Sequence, residues 1–125
     1  MAEPAVWEPL SEDVRRTLEL LLDGDGGDLQ VYRAQIPYAR MTAGCTCGCP
    51  SVDLRVTQDV PAAPVAPGGS PVVASRDIAT PQGAYVGEAM LFVWGGLIAS
   101  LEVCHWEDLG PLVPPLWRRL GPDRP

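Results

Sequence analysis

The segment G-C-T-C-G-C-P places three thiols at alternate positions, Cys45, Cys47 and Cys49. Clustered thiolates are zinc ligands, and Gly44, Gly48 and Pro50 permit a loop curled tightly enough to converge them. Extended backbone would not serve. Alternate residues of a strand lie ~6.6 Å apart, whereas two sulfurs on one tetrahedral zinc, each ~2.3 Å from the metal, are only ~3.8 Å apart. A closed site also needs a fourth ligand. Outside the loop the sequence offers one further cysteine, Cys104, and one histidine, His105, both at the end of a β-type segment. Strand alternation sends these neighbours to opposite faces, so at most one of them completes the site, and Cys104 shares the face of Ser100 and Glu102. Zinc held by Cys45, Cys47, Cys49 and either Cys104 or His105 is one reading of the chain.

Two others compete with it. The separated C-x-x-C pairs of the usual zinc signature are absent. In their absence the three thiols can simply be small residues at a crowded turn, with Cys104 a buried apolar residue. Thiol redox chemistry is the third reading. An i, i+2 disulfide is strained, and no lysine or basic patch stands nearby to lower a thiol pKa.

The remaining polar residues nominate no active site. The run D-G-D-G-G-D carries Asp23, Asp25 and Asp28, but Ala34 stands where a calcium loop needs its closing glutamate, so the run reads as a solvated turn. Cys104 and His105 are a poor catalytic pair because adjacent strand residues face apart. No phosphate-binding glycine loop, dinucleotide fingerprint or G-x-S-x-G elbow occurs. The first expectation for function is therefore a small non-enzymatic binding or accessory protein, of the immunity or regulatory type, with a protein partner. The four tryptophans, Trp7, Trp94, Trp106 and Trp117, are expected to fill the core or fasten the terminal segments.

Charge narrows the partners. Sixteen carboxylates against nine arginines give a net charge of −7, which opposes attraction to nucleic acid or to an anionic membrane. All the basic residues are arginine, a composition that points to a GC-rich bacterial genome. No run approaches the ~20 apolar residues that span a bilayer, and Glu3, Pro4 and Glu8 occupy the place of a basic leader segment. A cytoplasmic location is expected, and with it free or metal-bound thiols in preference to disulfides.

The elements that must position these residues can be read from spacing. Ser11 is a helix cap, followed by Glu12 and Asp13 in the first turn and by Val14, Leu18, Leu21 and Leu22 on one face, with Gly24 marking the end. Asp28 is expected to cap a second short helix with Leu29, Tyr32 and Ala34 available for packing, ending before Pro37. From Ala39 the pattern becomes β-type. Val52, Leu54 and Val56 alternate with polar residues over Ser51 to Thr57, and Val72 to Ile78 is a weaker strand. Ala84 to Trp94 and Leu97 to Trp106 form a hairpin about Gly95-Gly96, a pair suited to the positive φ angles of a tight turn. Residues 59–71 hold four prolines and read as a loop, and residues 107–125 as an irregular proline-rich tail that lays Leu112, Leu116 and Trp117 on the body.

Leu29 to Arg40 (L-Q-V-Y-R-A-Q-I-P-Y-A-R), Cys45 to Leu54 (C-T-C-G-C-P-S-V-D-L) and the closing hairpin together resemble a group of small uncharacterised actinobacterial proteins, over roughly Pro9 to Trp106. The C-x-C-G-C-P-S run is the most distinctive part. The resemblance implies a bacterial cytosolic protein and no mechanism. The fold expected is a single α+β domain over residues 1–125, with one or two N-terminal helices on one face of an antiparallel sheet of about four strands.

Overall fold

The computed structural model of the 125-residue chain describes residues 6–43, 50–57, 59–65, 70–106 and 115–121. Its strands and helices follow in the order β1 (Glu8–Pro9), α1 (Glu12–Leu21), α2 (Gly27–Gln35), β2 (Ala39–Ala43), β3 (Val52–Val56), β4 (Val72–Ala79), β5 (Tyr85–Trp94) and β6 (Leu97–His105). Single 3-10 turns occupy Ile36–Tyr38 and Leu116–Arg119. The protein is α+β, with two helices among the described residues.

Helix α1 begins as its sequence dictates: Ser11 is extended and its hydroxyl accepts the Val14 N–H at 3.1 Å, satisfying one of the donors that the first turn leaves unpaired. Its buried stripe is Val14, Thr17, Leu18 and Leu21. The last turn contains no basic residue, and Arg33 of α2 supplies one. Its Nη2 donates to the carbonyls of Leu22 at 2.6 Å and Gly24 at 2.9 Å, placing a cation at the negative end of the helix dipole.

Asp28 does not cap α2. The cap is Gly26, with extended backbone and no side-chain hydrogen bond, and the helix starts at Gly27. Asp28 instead lies in the first turn, where its charge favours the helix dipole. Pro37 stops the helix, which ends at Gln35 and passes through one 3-10 turn.

The sheet has six strands, all antiparallel, in the order β1-β2-β3-β6-β5-β4. The count of about four is corrected. β1 is two residues long and pairs only Glu8 with Met41 and Pro9 with Arg40, too short to show an alternating pattern. β2 (A-R-M-T-A) has one β-branched residue, so it carries little strand signal of its own.

The register aligns one apolar row across the sheet, Val52–Leu101–Leu91–Ala74, and both Leu101 and Leu91 are fully buried. This face forms the core with Leu18 and Leu22 at the end of α1, Ile78 from β4 and Leu116 from the last 3-10 turn. Fully burying each such leucine or isoleucine contributes ~1.5–3 kcal/mol. Asp13 anchors the last 3-10 turn by accepting the Leu116 and Trp117 N–H groups at 2.8 and 3.0 Å. The opposite face of the sheet bears exposed Arg40, Asp53, Arg55 and Glu102. Among the described residues no helix is long and apolar enough to cross a membrane.

Candidate functional site

The two ends of the sheet differ in chemistry. At one end β2 and β3 meet, with Ala43 paired to Val52, and β6 terminates beside them. Cys45, Cys47 and Cys49 connect those paired residues along the chain and lie outside the described residues. Cys104 pairs with Glu88 across β5–β6 and is exposed, so it is not the buried apolar residue of the second reading. His105 faces the other way. It stands opposite Gly87, which pairs in turn with fully buried Ile78. The two residues therefore occupy opposite faces, as strand alternation requires. The His105 Nε2 is buried without a hydrogen-bond partner among the described residues.

Ser51 fastens the cysteine-bearing connection to this strand end. Its hydroxyl accepts the Val103 N–H at 2.9 Å and donates to the Val103 carbonyl at 3.5 Å. Cys104 is the next residue of β6, and Cys49 precedes Ser51 by two residues, a chain reach of ~7 Å. Among the described residues, no group of three or more histidine, cysteine or carboxylate side chains is arranged to hold a metal ion.

The opposite end carries a cleft of about 610 Å³ between the start of α2, the β5–β6 turn, Pro64-Val65 and the start of β4. Its walls are apolar, formed by Leu29, Tyr32, Val65, Val73, Val93 and Trp94, and Asp28 is the only charged residue among the described lining. Trp94 stands at the rim with 83% of its surface exposed. Burial, and then the Asp28 carboxylate, pushes the Tyr32 phenol above its ordinary pKa of 10.0. The turn before α2 adds negative charge to one lip. A Cβ on Gly24 would press on Leu29 Cδ1, which places the turn bearing exposed Asp23 and Asp25 against a residue of the cleft wall.

Gln35 holds these walls together. It is buried, 1% exposed, and all three of its hydrogen bonds reach distant segments. Nε2 donates to Pro61 O at 3.1 Å and Gly96 O at 2.9 Å, and Oε1 accepts the Ile98 N–H at 3.0 Å. The last bond has a structural cause. The β3–β6 ladder stops at Asp53↔Ser100, so Ile98 has no β3 partner, and the glutamine carbonyl replaces it. Gly96, at φ +79°, lies so close to the 59–65 segment that a Cβ would collide with the Ala63 carbonyl, and Ala63 N–H donates to Gly96 O at 2.9 Å.

The tryptophans do not fill the core: Trp94 and Trp106 are exposed, and Trp7 and Trp117 half-buried. The guanidinium groups of Arg16 and Arg118 lie over the Trp117 ring, 4.7 and 5.0 Å from its centroid, a fastening role by cation–π contact. Trp106 meets Tyr85 with ring centroids 5.0 Å apart. The sequence signal for the cleft was therefore Trp94 beside Gly95-Gly96. An indole flanking a tight two-residue turn has little room to fold back onto the core.

No protein-family model, curated protein or solved structure matches this chain. The reading of the site rests on its own geometry.

Proposed function

We propose that this is a non-enzymatic binding protein, an accessory partner of the regulatory or immunity type, which accepts a segment of another protein in the cleft beside Trp94. One observation carries the reading: a tryptophan 83% exposed on the rim of an apolar cleft whose only charged described lining residue is Asp28. Rigid aromatic side chains in such positions contribute contact area at low entropic cost and dominate binding energies when covered. The fitting ligand has an aliphatic or aromatic anchor with a basic residue beside it, complementary to Asp28 and to the net charge of −7. Fluorescence titration with arginine-bearing apolar peptides tests this. Binding blue-shifts the Trp94 emission, Trp94→Ala weakens it at least tenfold, and Asp28→Asn weakens it severalfold while flattening its salt dependence. Equal affinity in wild type and Trp94→Ala overturns the assignment.

A second reading, zinc bound by Cys45, Cys47 and Cys49 with Cys104 or His105, is favoured by the Ser51–Val103 fastening and by the unpartnered His105 Nε2. Protein purified anaerobically under reducing conditions is analysed for metal and free thiols. One zinc per chain is expected, with Cys47→Ser lowering both occupancy and melting temperature because structural metal binding is folding energy. Comparing Cys104→Ser with His105→Gln identifies the fourth ligand. Four freely titrating thiols with no metal sink this reading.

A further inference from the structure

The cleft opens onto the start of β4, the outermost strand of the sheet, through Ser70, Pro71 and Val73. An outermost strand presents backbone groups that a neighbouring strand would otherwise use. In β4 their positions follow from one bond. Gly121 N–H donates to Asp77 O at 2.7 Å, beside the bridge between Ile78 and Leu120. Asp77 O therefore points away from β5. In an antiparallel ladder the outward residues alternate, so Ser75 also directs its N–H and C=O away from β5.

Among the described residues, only part of this edge is covered. The Leu120–Gly121 segment occupies the Asp77–Ile78 half as a short antiparallel partner. Toward the cleft the edge is uncovered by any described residue: no described hydrogen bond reaches the outward groups of Ser75. Val73 is the extra residue of a bulge, skipped where the register passes from Val72↔Phe92 to Ala74↔Leu91, and its side chain lines the cleft. Among the described residues, the strand edge and the apolar cleft thus form one continuous surface, with the exposed carboxylates of Asp25 and Asp28 on its far lip.

We propose that the partner segment binds in extended conformation, adding a strand to β4 at Ser75 and placing an apolar side chain against Trp94 and Tyr32, with a basic side chain toward Asp28. This rests on the cleft reading above and specifies its ligand class: a basic, apolar β-strand peptide of a partner protein. Backbone pairing supplies affinity without sequence preference, and the cleft supplies selectivity at one position of the peptide. The Leu120–Gly121 segment shows that this edge accepts an antiparallel backbone.

The probe is a panel of short synthetic peptides alternating valine and threonine, each with one leucine at a different position and an arginine next to it. The readout is Trp94 emission together with hydrogen exchange at Ser75. The best peptide is expected to blue-shift Trp94 and slow exchange of the Ser75 amide. It is then remade in two forms, with either alternate set of its backbone amides N-methylated. Methylating the set that faces β4 should weaken binding at least tenfold, and methylating the other set less than threefold. Because both forms meet the wild-type protein, no folding defect intervenes. Ser75→Pro removes an outward N–H while leaving the β4–β5 ladder intact, and is expected to reproduce the tenfold loss with the melting temperature preserved. If both methylated forms bind like the parent while the Trp94 shift persists, strand addition is overturned and the cleft reading stands. If no peptide in the panel shifts Trp94, both are overturned.

Discussion

Replacing Gln35 by leucine keeps the approximate volume of the side chain and removes all three of its hydrogen bonds. The cost can be apportioned. The Gly96 carbonyl retains the Ala63 N–H at 2.9 Å, so it is not stranded. The Pro61 carbonyl is in a half-buried contact and regains water in part. The Ile98 N–H has no alternative, because the β3–β6 ladder ends before it and its bond to Gln35 is buried. A buried donor left without a partner costs ~1–3 kcal/mol, and the partial losses at the carbonyls bring the expected total to about 2–3 kcal/mol. For a domain of this size that lowers the melting temperature by roughly 10 °C. Urea unfolding followed by tryptophan fluorescence measures the energy, and hydrogen exchange at Ile98 reports the site.

Gln35→Glu sharpens the test. The carboxylate can still accept from Ile98, but it turns a second oxygen toward the Pro61 and Gly96 carbonyls. Burial and that repulsion raise the folded-state pKa above the unfolded value. The variant is then closest to wild type in acid, where its carboxyl is protonated and donates, and it loses stability as pH rises through the unfolded and then the folded pKa. A Gln35→Leu protein within ~0.5 kcal/mol of wild type, where surface substitutions usually fall, or a Gln35→Glu protein whose relative stability is flat with pH, would refute the assignment of Gln35 as the polar anchor of the cleft.

Four further outcomes are expected. Gly96→Ala should destabilise by ~2 kcal/mol or more in thermal melts, combining strain at positive φ with displacement of the Ala63 carbonyl. Gly95→Asn, at φ +58° with open space around the position, should stay within ~0.5 kcal/mol, because asparagine tolerates the left-handed region. The raised pKa of Tyr32 means that the folded state holds this proton more tightly than the unfolded chain. Its contribution is complete below the unfolded value near 10.0 and is lost as pH rises through the folded pKa. Tyr32→Phe should therefore flatten the fall in melting temperature on the alkaline side. Arg33→Met removes the cation that caps α1 through Leu22 and Gly24, and should cost ~1.5–3 kcal/mol in urea titration, the range for hydrogen bonds to a charged group.

The elements legible in the sequence were those with local determinants. Ser11 caps α1 through a group three residues away, and Gly95 and Gly96 adopt the positive φ angles that the hairpin turn requires. Alternation alone also placed Cys104 and His105 on opposite faces. β1 was illegible because a two-residue strand exists only through its partner Met41–Arg40. Gln35 was illegible for a different reason. Its bonds span 26, 61 and 63 residues of chain, and a glutamine at the end of a short helix otherwise reads as solvent-facing. The cleft shares that origin, since its walls come from four separate segments that no spacing rule connects.

Strand β6 runs nine residues from Leu97, next to the cleft residue Gly96, to His105, a separation of ~27 Å at the usual rise of a strand. Perturbations more than ~10 Å apart with no shared partners add in free energy. A double variant such as Trp94→Ala with Cys104→Ser should thus equal the sum of its parts. A departure from that sum would mean that the strand transmits strain between its ends, making the sheet a coupling element as well as a scaffold.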